Sequence, residues 1–458
     1  MPKYLIKGGN VLQFDHEKTS SFPKLDILVE DNIIAKIGPD LSTEGAGTEV
    51  IDASDYIVSP GFIDGHRHVF QAQLRTTVAD HPFLDYCAHL LQGRMTFLTP
   101  DDMYLAQLSG ATEALWCGIT TVMDHSHVVV SIYCVAPFAN PQSLNPMVLP
   151  DMDEKHPEQI ALFKSLASES PLGGQSNDGR VTIGLGYDTM NHRPLDEARE
   201  VLQFAKTNNI PVTVHDVERF NLPSLEFLRR NNLPLPKVTL SHTCEPDSIR
   251  TEFLKSNEIG VVSTPETELA MGHGLPSAFD LQRAGCRVGL GVDVPAFCSG
   301  DMFVCMRIAL QNQRSRDSAL HHSWNKLPNA SKARVDHVLY MATLGGAEAI
   351  HREKDLGSLE PGKLADIVLI RTDSPSMVST VNHGAALVMH CHPTDVDTVM
   401  VNGEIVKRDG KLLKVDWKDL ATKLTENRKM LEERWKGVNW EETKSELAQL
   451  WFLQDSLE

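Results

Sequence analysis

The chain has 458 residues and a formal net charge of −18 at pH 7, and no stretch of it concentrates basic residues. A field of that sign repels phosphates, so we expect neither a nucleic acid nor an anionic membrane as a partner. The eight cysteines are scattered without C-x-x-C spacing, as is typical of thiols in a reducing compartment. Lys3 and Lys7 interrupt the first apolar stretch, and no run approaches about 18 apolar residues, which predicts a cytoplasmic protein.

The two ends of the chain have the same pattern of short predicted strands. Residues 1–59 contain short alternating strands separated by Gly, Asp and Pro turns, and residues 355–415 return to this pattern. We therefore expect both segments to build one small β-sandwich-like domain. Residues 416–458 carry apolar side chains at helical spacing among many charges, which predicts C-terminal amphipathic helices.

Residues 60–354 alternate apolar strands with longer helical segments, the βαβ pattern of a parallel sheet. Eight such strands predict an α/β fold, a closed (β/α)8 barrel of the TIM type, for which roughly 250 residues is usual. The strands are GFIDGH, GITTVMDH, SIYCVAPF, RVTIGLGYD, IPVTVHD, KVTLSH, IGVVST and CRVGLGVD.

The second β/α unit of this barrel is abbreviated in the sequence. Only a few residues separate TTVMDHSH from SIYCVAPF. A parallel crossover with its helix needs at least about 10 to 12 residues. Either one barrel helix is missing here, or the third strand lies elsewhere.

Polar side chains fall at the carboxyl ends of the predicted strands, where barrel enzymes carry their catalytic groups. His66 and His68 end the first strand one residue apart, so their side chains share a face. His215, His242 and Asp293 end three later strands. A single histidine at a strand end is usually structural, but five such residues in register across four strands predict a metal site.

The motifs PGFIDGHRHVFQAQLR, GITTVMD, HDVE, LSH, GLGVD and LEPGKLADIVLI resemble the amidohydrolase superfamily. The branch in question holds triazine chlorohydrolases and cytosine, guanine and related deaminases, and the resemblance runs to Gly410. It implies a metal-dependent hydrolase that acts on C–N bonds other than peptide bonds, with deamination of a nitrogen heterocycle the leading activity. It implies further that Glu218 shuttles protons, that His242 hydrogen-bonds the attacking water, and that one ion is bound by four ligands. Those metal ligands are His66, His68, His215 and Asp293.

Elementary coordination chemistry supports this ligand set independently. Imidazole nitrogens with one carboxylate suit a borderline divalent cation, most often Zn²⁺, with Fe²⁺ as the alternative. Such an ion produces hydroxide from water at neutral pH, and His242 and Asp293 are placed to orient the water and take its proton. Binuclear relatives bridge two ions with a lysine on the fourth strand, and RVTIGLGYD has no lysine, so we expect one ion per chain.

Several further residues are candidates for the substrate pocket. Gln71 and Arg75 lie where this branch places pocket-lining residues, although either can instead tie down its loop, and for Arg75 that role is favoured. Glu268 replaces an asparagine that is usual in relatives, and it can bind an amino group of the substrate or cap the following helix. His125 and His127 resemble a second H-x-H pair, for which a substrate contact or a structural role is expected before a second metal.

Two other functions stay open at this point. The same centre can catalyse amide or ring-opening hydrolysis, or a lyase or dehydratase step on a specialised metabolite. The barrel can also have lost catalysis and serve as a binding module, although a retained cluster of costly polar groups argues against this. In the catalytic cases the partner is a small-molecule substrate, and the resemblance with the terminal helix favours a homo-oligomer, with a homodimer as the simplest form.

Overall fold

The structure is a computed structural model that describes residues 3–42, 47–127, 134–135, 141–169 and 180–450. An eight-stranded parallel sheet forms its centre, with neighbours in chain order throughout. A parallel bridge between Arg67 and Asp293 joins the first strand to the segment after the eighth and closes the barrel, which confirms the predicted fold. The barrel strands, first to eighth, are Phe62–Arg67, Ile119–Ser126, Cys134–Val135, Gly184–Gly186, Val212–Asp216, Val238–His242, Gly260–Ser263 and Arg287–Leu290.

The connection between the second and third strands is as short as the sequence suggests. Cys134 pairs with His125 and Val135 with Ser126, so only residues 127–133 separate two adjacent parallel strands. A parallel crossover with its helix usually needs at least about 10 to 12 residues, more than this connection contains. Of the predicted strand SIYCVAPF, only residues 134–135 belong to the described part of the chain.

Helices surround the barrel and cover its apolar strands. The long first crossover helix, Pro100–Trp116, begins at a capping box in which Thr99 and Asp102 satisfy each other's backbone N–H groups, with Pro100 in the first helical position. The α-helices of this layer are Phe83–Tyr86, Pro100–Trp116, Met152–Ser168, Leu195–Thr207, Ser224–Arg230, Ser248–Ser256, Pro265–Ala270, Ala278–Ala284, Met302–Ser323, Val335–Met341 and Leu344–Ala349. Short 3-10 turns cover Val69–Leu74, Arg94–Phe97, Asp188–His192 and Glu218–Phe220, and a π turn covers Cys87–Leu91.

Both ends of the chain contribute to a second, mixed sheet of nine strands. Its long first strand, Lys3–Val11, pairs in parallel with Thr48–Asp52 over its first half and with Tyr56–Pro60 near its end. Asn402 and Gly403 make the predicted hairpin turn, and both have positive φ angles of 50° and 77° as a type I′ turn requires. The remaining strands of this sheet are Lys24–Glu30, Ile33–Gly38, Ile367–Arg371, Val396–Val401, Glu404–Arg408 and Lys411–Leu412. A separate hairpin joins Gln13–Phe14 to Ser20–Ser21. In the sequence, the helix His383–Met389 and the 3-10 turn Pro393–Asp395 follow the strand Ile367–Arg371 and precede Val396–Val401.

Two C-terminal helices, Trp417–Arg434 and Trp440–Leu450, fold back onto the barrel. Asn427 donates to the buried carboxylate of Asp102, and Arg434 forms an ion pair with the same group. Arg428 donates to the backbone carbonyls of Gln73 and Arg75, in the segment after the first barrel strand. The helix Trp417–Arg434 therefore supports the segment that follows His66 and His68. No helix within the described residues is both long and apolar enough to cross a bilayer.

Candidate active site

The carboxyl ends of four barrel strands bring the five predicted polar residues together. His66 lies in the first strand and His68 directly after it, and both are buried. His215 lies in the fifth strand and His242 ends the sixth. His242 and Asp293 have positive φ angles of 76° and 69°, a conformation that non-glycine residues adopt only where the surrounding structure imposes it.

Two imidazole nitrogens approach one carboxylate oxygen. Nε2 of His66 and Nε2 of His68 each lie 3.2 Å from Oδ1 of Asp293. The His215 ring centroid lies 4.8 Å from that of His66 and 5.4 Å from that of His68. Ligand atoms at about 2.1 Å from a tetrahedral zinc ion stand about 3.4 Å apart. Ligand atoms of His66, His215, His242 and Asp293 lie within 4.8 Å of one another, and those of His68, His127 and His215 form an adjoining group of the same size limit. A cation fits between these side chains.

Hydrogen bonds fix which ring nitrogen faces the centre. His68 donates its Nδ1–H to the carbonyl oxygen of His125 at 2.6 Å, and His215 donates its Nδ1–H to Asp188 at 2.9 Å. In both rings the Nε2 lone pair is left for the cluster, as in metal-binding histidines whose other nitrogen is anchored by a carbonyl or carboxylate. The Nε2 lone pair of His68 thus faces an acceptor oxygen, an arrangement that a cation stabilises. The residues present therefore fit a divalent metal.

Burial and charge act together on the protonation of this cluster. Burial holds the pKa of His66 well below its ordinary value, and it lowers the pKa of His242 to about 3. Burial alone would raise the pKa of Asp293, but the adjacent His66 and His68 rings hold it well below the usual carboxyl range. A neutral imidazole and an ionised carboxylate are the forms that bind a metal.

Asp188 is a functional candidate that the sequence analysis missed. Its Oδ1 accepts the backbone N–H of His215 at 2.8 Å, and its Oδ2 lies 2.9 Å from His215 Nδ1 and 2.9 Å from His125 Nε2. Burial would raise the pKa of Asp188, but the two histidines hold it well below its ordinary value. Its position in the sequence is the same signal that indicates the other ligands, since Asp188 ends the predicted strand RVTIGLGYD.

His125 and His127 are buried beside the cluster formed by His66, His68, His215 and Asp293. The ring centroid of His127 is 4.5 Å from that of His68, and the centroid of His125 is 4.4 Å from that of His215. Ligand atoms of His125, His127 and Asp188 lie within 4.8 Å of one another. The second H-x-H motif therefore adjoins the first.

Glu268 is fully buried in the helix Pro265–Ala270 and faces backwards along it. Its two carboxyl oxygens accept the backbone N–H of Thr264 at 2.7 Å and the hydroxyl of Ser263 at 2.8 Å, which is a helix-capping contact. One of them also lies 3.8 Å from Nδ1 of His242. Burial raises the pKa of Glu268 to about 8. The contacts match the capping alternative, while the substrate contact stays a prediction.

Gln71 and Arg75 differ in where they point. Gln71 is fully buried and donates its amide to the hydroxyl of Tyr86 at 2.8 Å. Its carbonyl oxygen is buried and has no hydrogen-bond partner within the described chain. Arg75 is 43% exposed and forms an ion pair with Glu113, as the loop-anchoring alternative predicts.

Glu218 lies outside the cluster. It begins a 3-10 turn after the fifth strand, its side chain is 62% exposed, and it forms an ion pair with Arg250. Its role as a proton shuttle stays a prediction, and in that role the carboxylate has to leave Arg250 and turn toward the mouth.

An aromatic group that sequence reasoning did not single out covers one side of the mouth. Phe83 and Phe220 stack with ring centroids 4.0 Å apart and planes 7° from parallel. His273 meets both phenyl rings edge on, and its centroid lies 4.4 Å from that of His242. Within the described residues neither nitrogen of His273 has a hydrogen-bond partner. This group supplies apolar faces and polar ring atoms beside the cluster.

A closed (β/α)8 barrel with histidines and an aspartate gathered at its carboxyl-terminal mouth defines a metal-dependent hydrolase. The amidohydrolase family model matches residues 57–406, so the chain belongs to the amidohydrolase family. This confirms the predicted family and its hydrolase activity.

Curated relatives from two prokaryotes carry the same name, 5-methylthioadenosine/S-adenosylhomocysteine deaminase. The protein of Carboxydothermus hydrogenoformans is 26% identical over 423 residues, which cover 90% of this chain and 94% of the relative. That of Thermococcus kodakarensis is 27% identical over 416 residues, covering 88% and 93%. With the family match, these relatives support metal-dependent deamination of a heterocycle.

Solved structures share the fold over nearly the whole chain. The zinc complex of atrazine chlorohydrolase from Arthrobacter aurescens aligns with a TM-score of 0.78 at 21% identity, covering 93% of this chain and 100% of the other. An adenosine deaminase from Xanthomonas campestris with bound zinc aligns with a TM-score of 0.77 at 18% identity, covering 94% and 99%.

Proposed function

We propose that this protein deaminates a purine nucleoside or a closely related nitrogen heterocycle, and that His66, His68, His215 and Asp293 bind the required ion. The observation that carries the proposal is the convergence of these four side chains, with the Nε2 of His66 and of His68 each 3.2 Å from Asp293 Oδ1. The names of the relatives support an adenine nucleoside as the first substrate to test. Zinc is the proposed ion, with ferrous iron as the alternative, one at this four-ligand centre of each chain.

The bound ion would supply the acidity that makes water a nucleophile at neutral pH. The chain's own residues then have to orient reactants and move protons. The Thr264 hydroxyl lies 3.5 Å from Asp293 Oδ2 and 2.9 Å from His242 Nδ1, so it can donate to the carboxylate while accepting from the ring. His242 Nε2, 4.0 Å from Asp293 Oδ2, is left with a lone pair that can take a proton. We assign His242 and Asp293 this proton-accepting role.

Glu218 is proposed to protonate the ring nitrogen and then the leaving amine. Its present ion pair with Arg250 is no obstacle, because a pair with so exposed a carboxylate stabilises a protein by about 0–1 kcal/mol. Gln71 and His125 are proposed substrate contacts, with Glu268 and Arg75 as weaker candidates because both side chains already have partners.

The test is ammonia release from a panel that contains adenosine, 5-methylthioadenosine, S-adenosylhomocysteine, guanine, cytosine, a pterin and a triazine. We expect release from at least one adenine nucleoside, its loss in His66→Ala and Asp293→Asn, and an activity loss without metal loss in Glu218→Gln. The matched control is His89→Gln, since His89 is a buried histidine that hydrogen-bonds His81 away from the cluster. Full activity after strict demetallation would exclude the proposal. A metal-loaded protein that is silent on the whole panel would favour the ring-opening or lyase alternative.

The proposal extends to the setting of the enzyme. A homodimer in the cytoplasm, without nucleic-acid or membrane partners, remains our expectation. The domain limits 1–59 with 355–415, 60–354 and 416–458 are also proposed. Sedimentation of the purified protein and limited proteolysis would test the oligomeric state and the limits.

A further inference from the structure

The barrel mouth contains more metal-binding side chains than one ion can use. A tetrahedral zinc site takes about four donors, and His66, His68, His215 and Asp293 already supply four. Beyond these, ligand atoms of His125, His127 and Asp188 form a further group on the side of the second and fourth barrel strands, and a ligand atom of His127 also lies within 4.8 Å of those of His68 and His215. Burying polar groups costs free energy unless they are hydrogen-bonded, paired or bound to a metal, so the presence of these three residues has to be explained separately.

The geometry of this second group is that of a binding site for a cation. The three ligand atoms lie within 4.8 Å of one another, and the histidine ring centroids are 5.1 Å apart. The side chain of His125 is fully buried and that of Asp188 is 17% exposed. Nε2 of His125 lies 2.9 Å from Asp188 Oδ2, and without an ion it donates its N–H to that carboxylate. Binding a cation requires the ring to carry its proton on Nδ1 instead, which has no hydrogen-bond partner in the described part of the chain.

We propose that His125, His127 and Asp188 hold a second divalent transition-metal cation beside the four-ligand centre. Two imidazoles and one carboxylate suit zinc, cobalt or iron and leave coordination positions open. The site is distinct from the lysine-bridged pair of the binuclear relatives, because its histidines come from the second strand and its carboxylate from the end of the fourth. It does not depend on which substrate the enzyme uses.

The second site is weaker than the first and coupled to it. It has three protein donors instead of four, and its aspartate also accepts a hydrogen bond from His215, a ligand of the first centre. Two dications in one buried mouth also repel each other. We therefore expect two separate steps of metal uptake, the four-ligand centre filling first.

The competing explanation is that Asp188 holds the His125 and His215 rings by hydrogen bonds alone, with no ion among these side chains. Metal titration distinguishes the two. The protein is stripped with a chelator, titrated with Co²⁺ or Zn²⁺, and measured by elemental analysis and by the visible absorption of cobalt. We expect two ions per chain at excess metal and one after competition with a weak chelator. Saturation of the wild-type protein at one ion per chain would overturn the inference.

Variants assign the second step to these residues. His125→Phe and, separately, His127→Gln should lose the weaker ion and keep the stronger one, which also shows that the variants fold. His66→Ala should weaken or abolish the stronger step, and His89→Gln should keep both. Two ions in both the His125 and the His127 variant would contradict the assignment. Because His125 is also a proposed substrate contact, ammonia release is compared in His127→Gln only. Loss of the second ion there with ammonia release intact leaves the proposed deamination standing, whereas two ions without any ammonia release contradicts only that function.

Discussion

The buried carboxyl of Glu268 should make the stability of the folded protein fall as pH rises through the neutral range. Its oxygens are shielded from water and accept from Thr264 and Ser263. These bonds favour the ionised form, but burial outweighs them and raises the pKa of the carboxyl to about 8 from its ordinary value of 4.5. Between these two values the folded state holds a proton that the unfolded chain has released.

The sign and size of the effect follow from proton linkage. The contribution of Glu268 is fully present below pH 4.5 and is lost as pH rises through 8, because the native state binds the extra proton in that window. A shift of this size corresponds to a ceiling of about 5 kcal/mol, at about 1.4 kcal/mol for each pH unit. Glu268→Gln keeps one oxygen that accepts the Thr264 N–H, its amide can donate to the Ser263 hydroxyl oxygen, and the side chain does not titrate.

The assay is urea unfolding of metal-loaded protein at pH 5, 6.5 and 8, for wild type, Glu268→Gln and the surface control Glu252→Gln. We expect the free energy of unfolding of the Glu268→Gln variant, relative to wild type, to rise by several kcal/mol from pH 5 to pH 8. The control should follow wild type. Parallel pH dependence in wild type and Glu268→Gln would refute the reasoning, since Glu268 would then be ionised in the folded protein.

Three further predictions concern other parts of the mouth and its support. Asp188→Asn removes the charge that anchors His215, so affinity of the stronger metal site should fall about 10- to 100-fold in chelator competition; unchanged affinity would contradict the anchoring role. Arg67→Met leaves the buried carboxylate of Asp64 without its cation and should destabilise the protein by about 3–5 kcal/mol in chemical unfolding, whereas a neutral result would show that this pair contributes little. In Gly260→Ala the new Cβ would stand 1.8 Å from a backbone carbonyl oxygen of a neighbouring helix, so a large fall in melting temperature is expected, and a wild-type value would contradict the close packing.

The strand ends were predictable because the barrel imposes one rule on all of them. His66, His68, His215, His242 and Asp293 each follow an apolar stretch of strand length, and parallel strands deliver such residues to one edge. Asp188 ends the predicted fourth strand in the same way, although the absence of a lysine from that strand was the only feature used in the prediction.

The direction of a side chain depends on partners that no local pattern contains. Glu218 turns to Arg250, 32 residues further along the chain, and this pairing depends on how the turn after the fifth strand lies against the helix Ser248–Ser256. The long strand Lys3–Val11 shifts register against Lys24–Glu30 between Ile6 and Gly9. It also pairs first with Thr48–Asp52 and then with Tyr56–Pro60, a change of partner that alternation alone does not encode.

The contact between the helix Trp417–Arg434 and the turn after His68 also matters during synthesis of the protein. Arg428 reaches back 355 positions in the sequence to the carbonyl of Gln73, in the turn just after His68. On the ribosome, every ligand of the first centre emerges before this contact exists. A nascent chain that ends before Trp417 therefore has all its metal-binding side chains, yet the turn that follows His68 still lacks its contacts with Arg428.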